Sequence, residues 1–174
     1  ASLSHRTLYR RLAEDAQFAE HVGFESLWLT DERFWYGGYR HSLLTIGGYI
    51  AGATQKLRIG TGCLLLPQHD PLRIAQGVNT LDQISHGRLD FGVALGGRDL
   101  EFDSLGISRR KRASSMVNAL DILAASTRRA SFGECPIYSP DRGEQEQFIT
   151  PPPVQQPVPI WVAAVGNKAV ERAA

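Results

Sequence analysis

Asp31, Glu32 and Arg33 close an apolar segment, residues 25–30, and lead into the aromatic run Phe34, Trp35 and Tyr36. Carboxylates and rings at the end of a strand suit proton transfer and contact with a flat ring and a polar substrate. Glu32 is a candidate catalytic group if burial raises its pKa, an effect that Arg33 beside it opposes. Asp31 is the second candidate, and Trp35 and Tyr36 are candidate substrate contacts. The bland alternative is a loop with an exposed ion pair and a packed tryptophan.

Residues 57–71 hold the second chemical unit. Leu57, Ile59 and Leu64 to Leu66 give the near-continuous apolar signal of a strand buried on both faces. Gly60 and Gly62 interrupt it, and glycine inside a strand marks a bulge or the close approach of a ligand or another backbone. Pro67 and Pro71 end it. Cys63 has no neighbouring base or helix N-terminus to stabilise a thiolate. A third unit is Gly96-Gly97-Arg98, where glycines let a ligand approach and the guanidinium suits a phosphate, unless Asp99 or Glu101 occupies it. The fourth is Ala163 to Asn167, where a strand becomes a helix whose free N–H groups favour an anion and Lys168 adds charge. The five histidines show no ligand spacing. His69 is expected nearest a pocket, because it follows the glycine-bearing strand. Neither a metal ligand set nor a Gly-x-Gly-x-x-Gly fingerprint is present.

These units need elements to hold them. Leu8, Leu12, Ala16, Ala19 and Val22 recur at helical spacing, with Gly23 as the closing residue. A strand is expected over 25–30, a small-residue helix over 43–53, and a strand from 57. A helix then runs through Ile74, Val78 and Leu81 to Ser85-His86-Gly87, and a strand over 88–95. Residues 98–112 read as polar and irregular, 113–126 as helix, and the stretch holding Gly133, Pro136, Pro140 and Gly143 as a long loop. Prolines over 151–159 lead stiffly into a strand over 160–164 and a last helix. Strands alternating with helices specify a parallel barrel or open sheet. Four strands are about half of an eight-stranded barrel of about 250 residues, so the expectation is a piece of a larger barrel or a half-barrel that pairs with a second copy.

The chain has 174 residues, 43% hydrophobic and 21% charged, with a net charge of +1. That describes a globular chain without the field that nucleic acid or an anionic membrane would need. Small molecules or other proteins are the expected partners. No apolar run reaches membrane-span length and no signal-like core opens the chain, so a cytoplasmic location is expected. Cys63 and Cys135 stand far apart, as reduced thiols do.

Five phrases in order resemble the luciferase-like monooxygenases, flavin- or deazaflavin-dependent oxidoreductases on a TIM barrel. They are residues 23–30, 57–71, 80–90, 101–107 and 151–162. The resemblance covers nearly the whole chain as one partial barrel domain, 1–174, spanning the second through fifth strands. It implies reduced FMN as cofactor, dioxygen as co-substrate and a small organic substrate. Coenzyme F-420 carrying a hydride is the alternative, and a non-catalytic flavin-binding partial barrel the alternative of another class. It also implies a homodimer and a flavin reductase as partner. Relatives carry a non-prolyl cis peptide where Gly62-Cys63 stands, under the flavin ring, and commonly two histidines after the acid, where this chain has Glu32 and Arg33. The implied cofactor set is Gly62, Cys63, Gly96, Gly97, Arg98, Ala164, Val165, Gly166 and Asn167.

Overall fold

The computed structural model describes residues 4–34, 42–127 and 149–173. Helix α1 (His5–His21) is capped by Ser4, whose hydroxyl accepts from the Thr7 N–H, and ends two residues before Gly23, which stands at φ +91°. Strand β1 (Ser26–Leu29), helix α2 (Leu43–Ala53), strands β2 (Arg58–Thr61) and β3 (Leu64–Leu65), and helix α3 (Pro71–Ile84) follow. Asp70 caps α3 by accepting from Arg73 N–H, with Pro71 in the first turn where a missing N–H costs nothing. Then come β4 (Leu89–Ala94), α4 (Asp99–Ser104), α5 (Arg112–Thr127), β5 (Ile160–Val162) and α6 (Asn167–Ala173).

Two expectations change. Residues 98–112 are not irregular: they hold α4 and a 3-10 turn, Arg109–Lys111, elements too short for a periodic signal. The strand expected from 57 is two pieces. Both pair with β4, β2 through Ile59 and Gly60 and β3 through Leu64 and Leu65, so they form one course broken at Gly62-Cys63.

Every pairing is parallel, and β1, the β2–β3 course, β4 and β5 lie side by side in chain order. That order has no reversal, which is the arrangement of a barrel arc rather than of a doubly wound sheet. The sheet's two faces differ in kind. Leu27, Leu29, Ile59, Leu89, Phe91, Val93, Ile160 and Val162 join the helices in the core. On the other face Trp28 and Trp161 are 46% and 57% exposed and meet edge to face, ring centres 6.4 Å apart.

Gly60 is explained by that second face. A Cβ there would stand 2.2 Å from Trp28 Cδ2, so the glycine makes room for an indole on its register partner rather than for a bulge or ligand. A Cβ at Gly92 would stand 2.0 Å from Thr61 O, a close approach of backbone.

Polar clamps, those of Arg88 and Asp82 buried and that of Glu20 near the surface, hold the end of the sheet where the strands begin. Arg88 donates to the carbonyls of Ala51, Thr54, Leu57 and Ser85. The Glu20 carboxylate accepts from the N–H groups of Gln55, Lys56 and Leu57. Asp82 accepts from Val154 and Gln155 N–H and fastens the proline-rich segment to α3. The opposite end, where the strands finish, is left for chemistry.

Candidate functional site

A cavity of about 420 Å³ opens at the ends of β1 and β3, within the roughly 300–1,000 Å³ range of small-molecule sites. One wall is apolar: Leu43 and Leu44 from the first turn of α2, Leu64 of β3 and Ile74 of α3. The other is charged, with Asp31, Glu32, Arg33 and His69.

The charged wall is tightly bonded. Asp31 Oδ2 accepts from the Leu65 N–H at 3.0 Å and lies 3.2 Å from His69 Nε2. Arg33 Nη2 stands 3.0 Å from that same Nε2. Its Nη1 donates to Gln68 Oε1 and lies 3.9 Å from Asp31 Oδ1. Burial alone would push the Asp31 carboxyl up. The bonds from His69 and Leu65 and the charge of Arg33 outweigh it and hold the carboxyl below its usual range. Behind the wall, Gln68 Nε2 donates to Glu101 Oε2 at 3.4 Å, and both side chains are buried.

Among the residues expected to act, Asp31 and Glu32 both line this cavity. The Gly62-Cys63 bond is cis, as the resemblance implied. Cys63 is half-buried and burial pushes its thiol up, in keeping with an inert thiol. Gly96, at φ +69°, turns the chain against the Gln68 amide, which a Cβ would approach to 3.0 Å, while Gly97 faces open space. Arg98 donates to Phe34 O at 3.1 Å and lies 3.9 Å from Glu101, its side chain 46% exposed. Asp99 turns away to Arg109. None of Gly62, Cys63, Gly96, Gly97, Arg98, Ala164, Val165, Gly166 and Asn167 is in the described lining of the cavity, and Val165, after β5, is 96% exposed. Trp35 and Tyr36 lie outside the described residues, as does the Lys168 side chain.

His69 lies where its place after the glycine-bearing strand put it. The roles of Gln68 and Glu101 were missed. The available signal was the pair of prolines, 67 and 71, which confine three polar residues to one short turn, whereas Glu101 sat in a segment read as irregular. No cluster of His, Cys, Asp and Glu among the described residues could hold a metal, and none of the described helices is long and apolar enough to cross a membrane.

The strand ends fit a flavin-like group in outline. The cavity joins an apolar wall to a charged one, the donor set that a flat ring with polar edges needs.

The sequence profile of the luciferase-like monooxygenases matches residues 2–174. The alkanal monooxygenase alpha chain of the Kryptophanaron alfredi symbiont is 32% identical over 121 residues, 70% of this chain and 34% of that protein. An uncharacterised Sinorhizobium fredii protein, y4vJ, is 28% identical over 98% of this chain and 48% of its own length. Among solved structures, an F420-dependent secondary alcohol dehydrogenase with an F420-acetone adduct superposes with a TM-score of 0.76 at 25% identity, over 95% of this chain and 51% of that one. The FMN complex of the oxygenating constituent of 3,6-diketocamphane monooxygenase from Pseudomonas putida gives 0.76 at 19% identity, over 94% and 48%, a likeness of fold. The chain thus spans about half the length of the relatives it matches, or less.

Proposed function

The chain belongs to the luciferase-like monooxygenase family, and from that premise we propose that it serves a flavin-dependent oxidoreductase that uses reduced FMN and dioxygen to oxidise a small organic substrate. The observation that carries this is the two-sided cavity at the strand ends, the end of a barrel where reacting groups gather. Bound reduced FMN would supply the electrons that activate dioxygen. We assign the holding of the ring to Gly62, Cys63, Gly96 and Gly97, and of its polar chain to Arg98 and residues 164–167.

This chain's own residues do the rest. Leu43, Leu44, Leu64 and Ile74 keep water from one side of the cavity. Asp31, held ionised, orients His69, and Glu32 adds a second carboxylate to the same wall. Substrate contact is assigned to Trp35 and Tyr36. A homodimer, a separate flavin reductase and a cytoplasmic location belong to this proposal.

The F-420 reading is supported by the likeness to the F420-dependent alcohol dehydrogenase. A non-catalytic partial barrel is favoured only by the half-length coverage. Titration of the purified chain with FMN and with F-420, followed by visible absorbance and fluorescence, separates the two cofactor readings. Saturable FMN binding supports the proposal. F-420 binding alone moves it to hydride transfer, and neither binding refutes it.

A further inference from the structure

The structure brings one histidine into the charged wall, and the atoms around its ring differ in sign. His69 Nε2 lies 3.2 Å from Asp31 Oδ2, which only accepts when ionised, and 3.0 Å from Arg33 Nη2, which only donates. A ring nitrogen that is protonated needs an acceptor, and one that is bare needs a donor. Here Nε2 has one of each. We propose that His69 is the acid–base residue of this cavity, its Nε2 bracketed so that a partner is present in either protonation state. The assignment rests on the flavin reading above.

The bracket is built from fixed parts. Asp31 is pinned by the Leu65 N–H. Arg33 is pinned by Gln68, whose amide is braced in turn on buried Glu101. No described residue bonds His69 Nδ1, which leaves that nitrogen for a ligand. The doubly protonated ring gives its Nδ1 proton to the ligand and keeps Nε2–H on Asp31, and the reverse step restores it; in the other neutral tautomer, with the proton on Nδ1 facing the ligand, bare Nε2 accepts from Arg33. Nε2 thus has a partner whether it is protonated or bare.

The charges facing His69 pull in opposite directions. From the end of β1 come Asp31, Glu32 and Arg33. From its own turn comes Asp70, engaged in capping α3, and Glu101 of α4 stands behind Gln68. The groups that α2 and α3 contribute to the wall, Ser42, Leu43, Leu44 and Ile74, carry no charge. Asp31 favours the cationic ring and Arg33 opposes it.

Without an organic substrate, reduced FMN and dioxygen yield FMN and hydrogen peroxide, two electrons and two protons passing to oxygen. His69 is assigned the carriage of one of those protons. The test uses His69→Gln, Asp31→Asn and Arg33→Gln in the full chain, folding checked by circular dichroism, with His69→Asn as the substitute if the glutamine variant does not fold. In cofactor-free protein, the NMR titration midpoint of the His69 ring should fall in Asp31→Asn and rise in Arg33→Gln. With reduced FMN in aerated buffer, the pH profile of reoxidation should show a limb that moves the same two ways. His69→Gln should lose that limb and slow by about 10²-fold, with FMN affinity unchanged. If FMN binds and His69→Gln keeps the wild-type limb, the proposal is overturned while the flavin reading stands. If FMN binds no form, the flavin reading falls and the ring titration alone decides: opposite shifts uphold the bracket, absent or parallel shifts overturn it.

Discussion

A methyl group added at Gly60 would collide with the Trp28 indole at 2.2 Å, whereas one added at Gly97 meets nothing within 4 Å. Gly60→Ala should therefore cost about 1–3 kcal/mol of overpacking, and Gly97→Ala should leave the urea midpoint near that of the wild type. Equal midpoints would show that the indole is free to move. Gln68 is the second telling residue, joining Arg33 to a buried carboxylate. Gln68→Leu removes a donor from Glu101 and an acceptor from Arg33, so chemical denaturation should register a loss of about 2–3 kcal/mol. At this scale the sequence marked the right places more often than the right reasons. Gly60 was visible as an interruption, but its cause is a ring on another strand, which spacing along one strand cannot show. Asp31 was visible from its place at a strand end. Its partnership with His69 joins residues 38 apart and needed the fold.

The parallel elements were legible because their apolar periodicity is local, and α1, β1, α2, α3, β4 and β5 stand close to where it put them. The break of one strand course into β2 and β3 and the six-residue α4 were not, since neither has a repeat long enough to read. Clamps between elements escaped for the same reason: Glu20 on α1 serves the turn before β2. Its carboxyl is held below its ordinary value of 4.5, chiefly by the Lys56 and Leu57 N–H bonds. A depressed folded value means the contribution is present above the ordinary value and lost as pH falls through the folded one. Water screens this near-surface carboxylate, so Glu20→Gln should cost about 0.5–1 kcal/mol at pH 7. Its deficit should shrink on acidification below 4.5, and a deficit constant with pH would assign the clamp to packing instead.

The whole sheet is a barrel arc with one face covered by helices and the other carrying two half-exposed tryptophans. Exposed rings of that size mark a surface that associates, so sedimentation velocity of the chain should show concentration-dependent self-association, reduced in Trp161→Lys. A concentration-independent monomer would contradict it. Fold and family were legible in the sequence because five phrases kept their order, whereas the substrate was not, because nothing in the residue types of its assigned contacts, Trp35 and Tyr36, names one small molecule. The central claim is that the strand ends hold a flavin, and a crystal structure of the chain soaked with FMN tests it most directly. The account predicts the ring against Gly62-Cys63 with its reacting edge toward His69; a ring bound on the tryptophan face, or at no defined place, would contradict it.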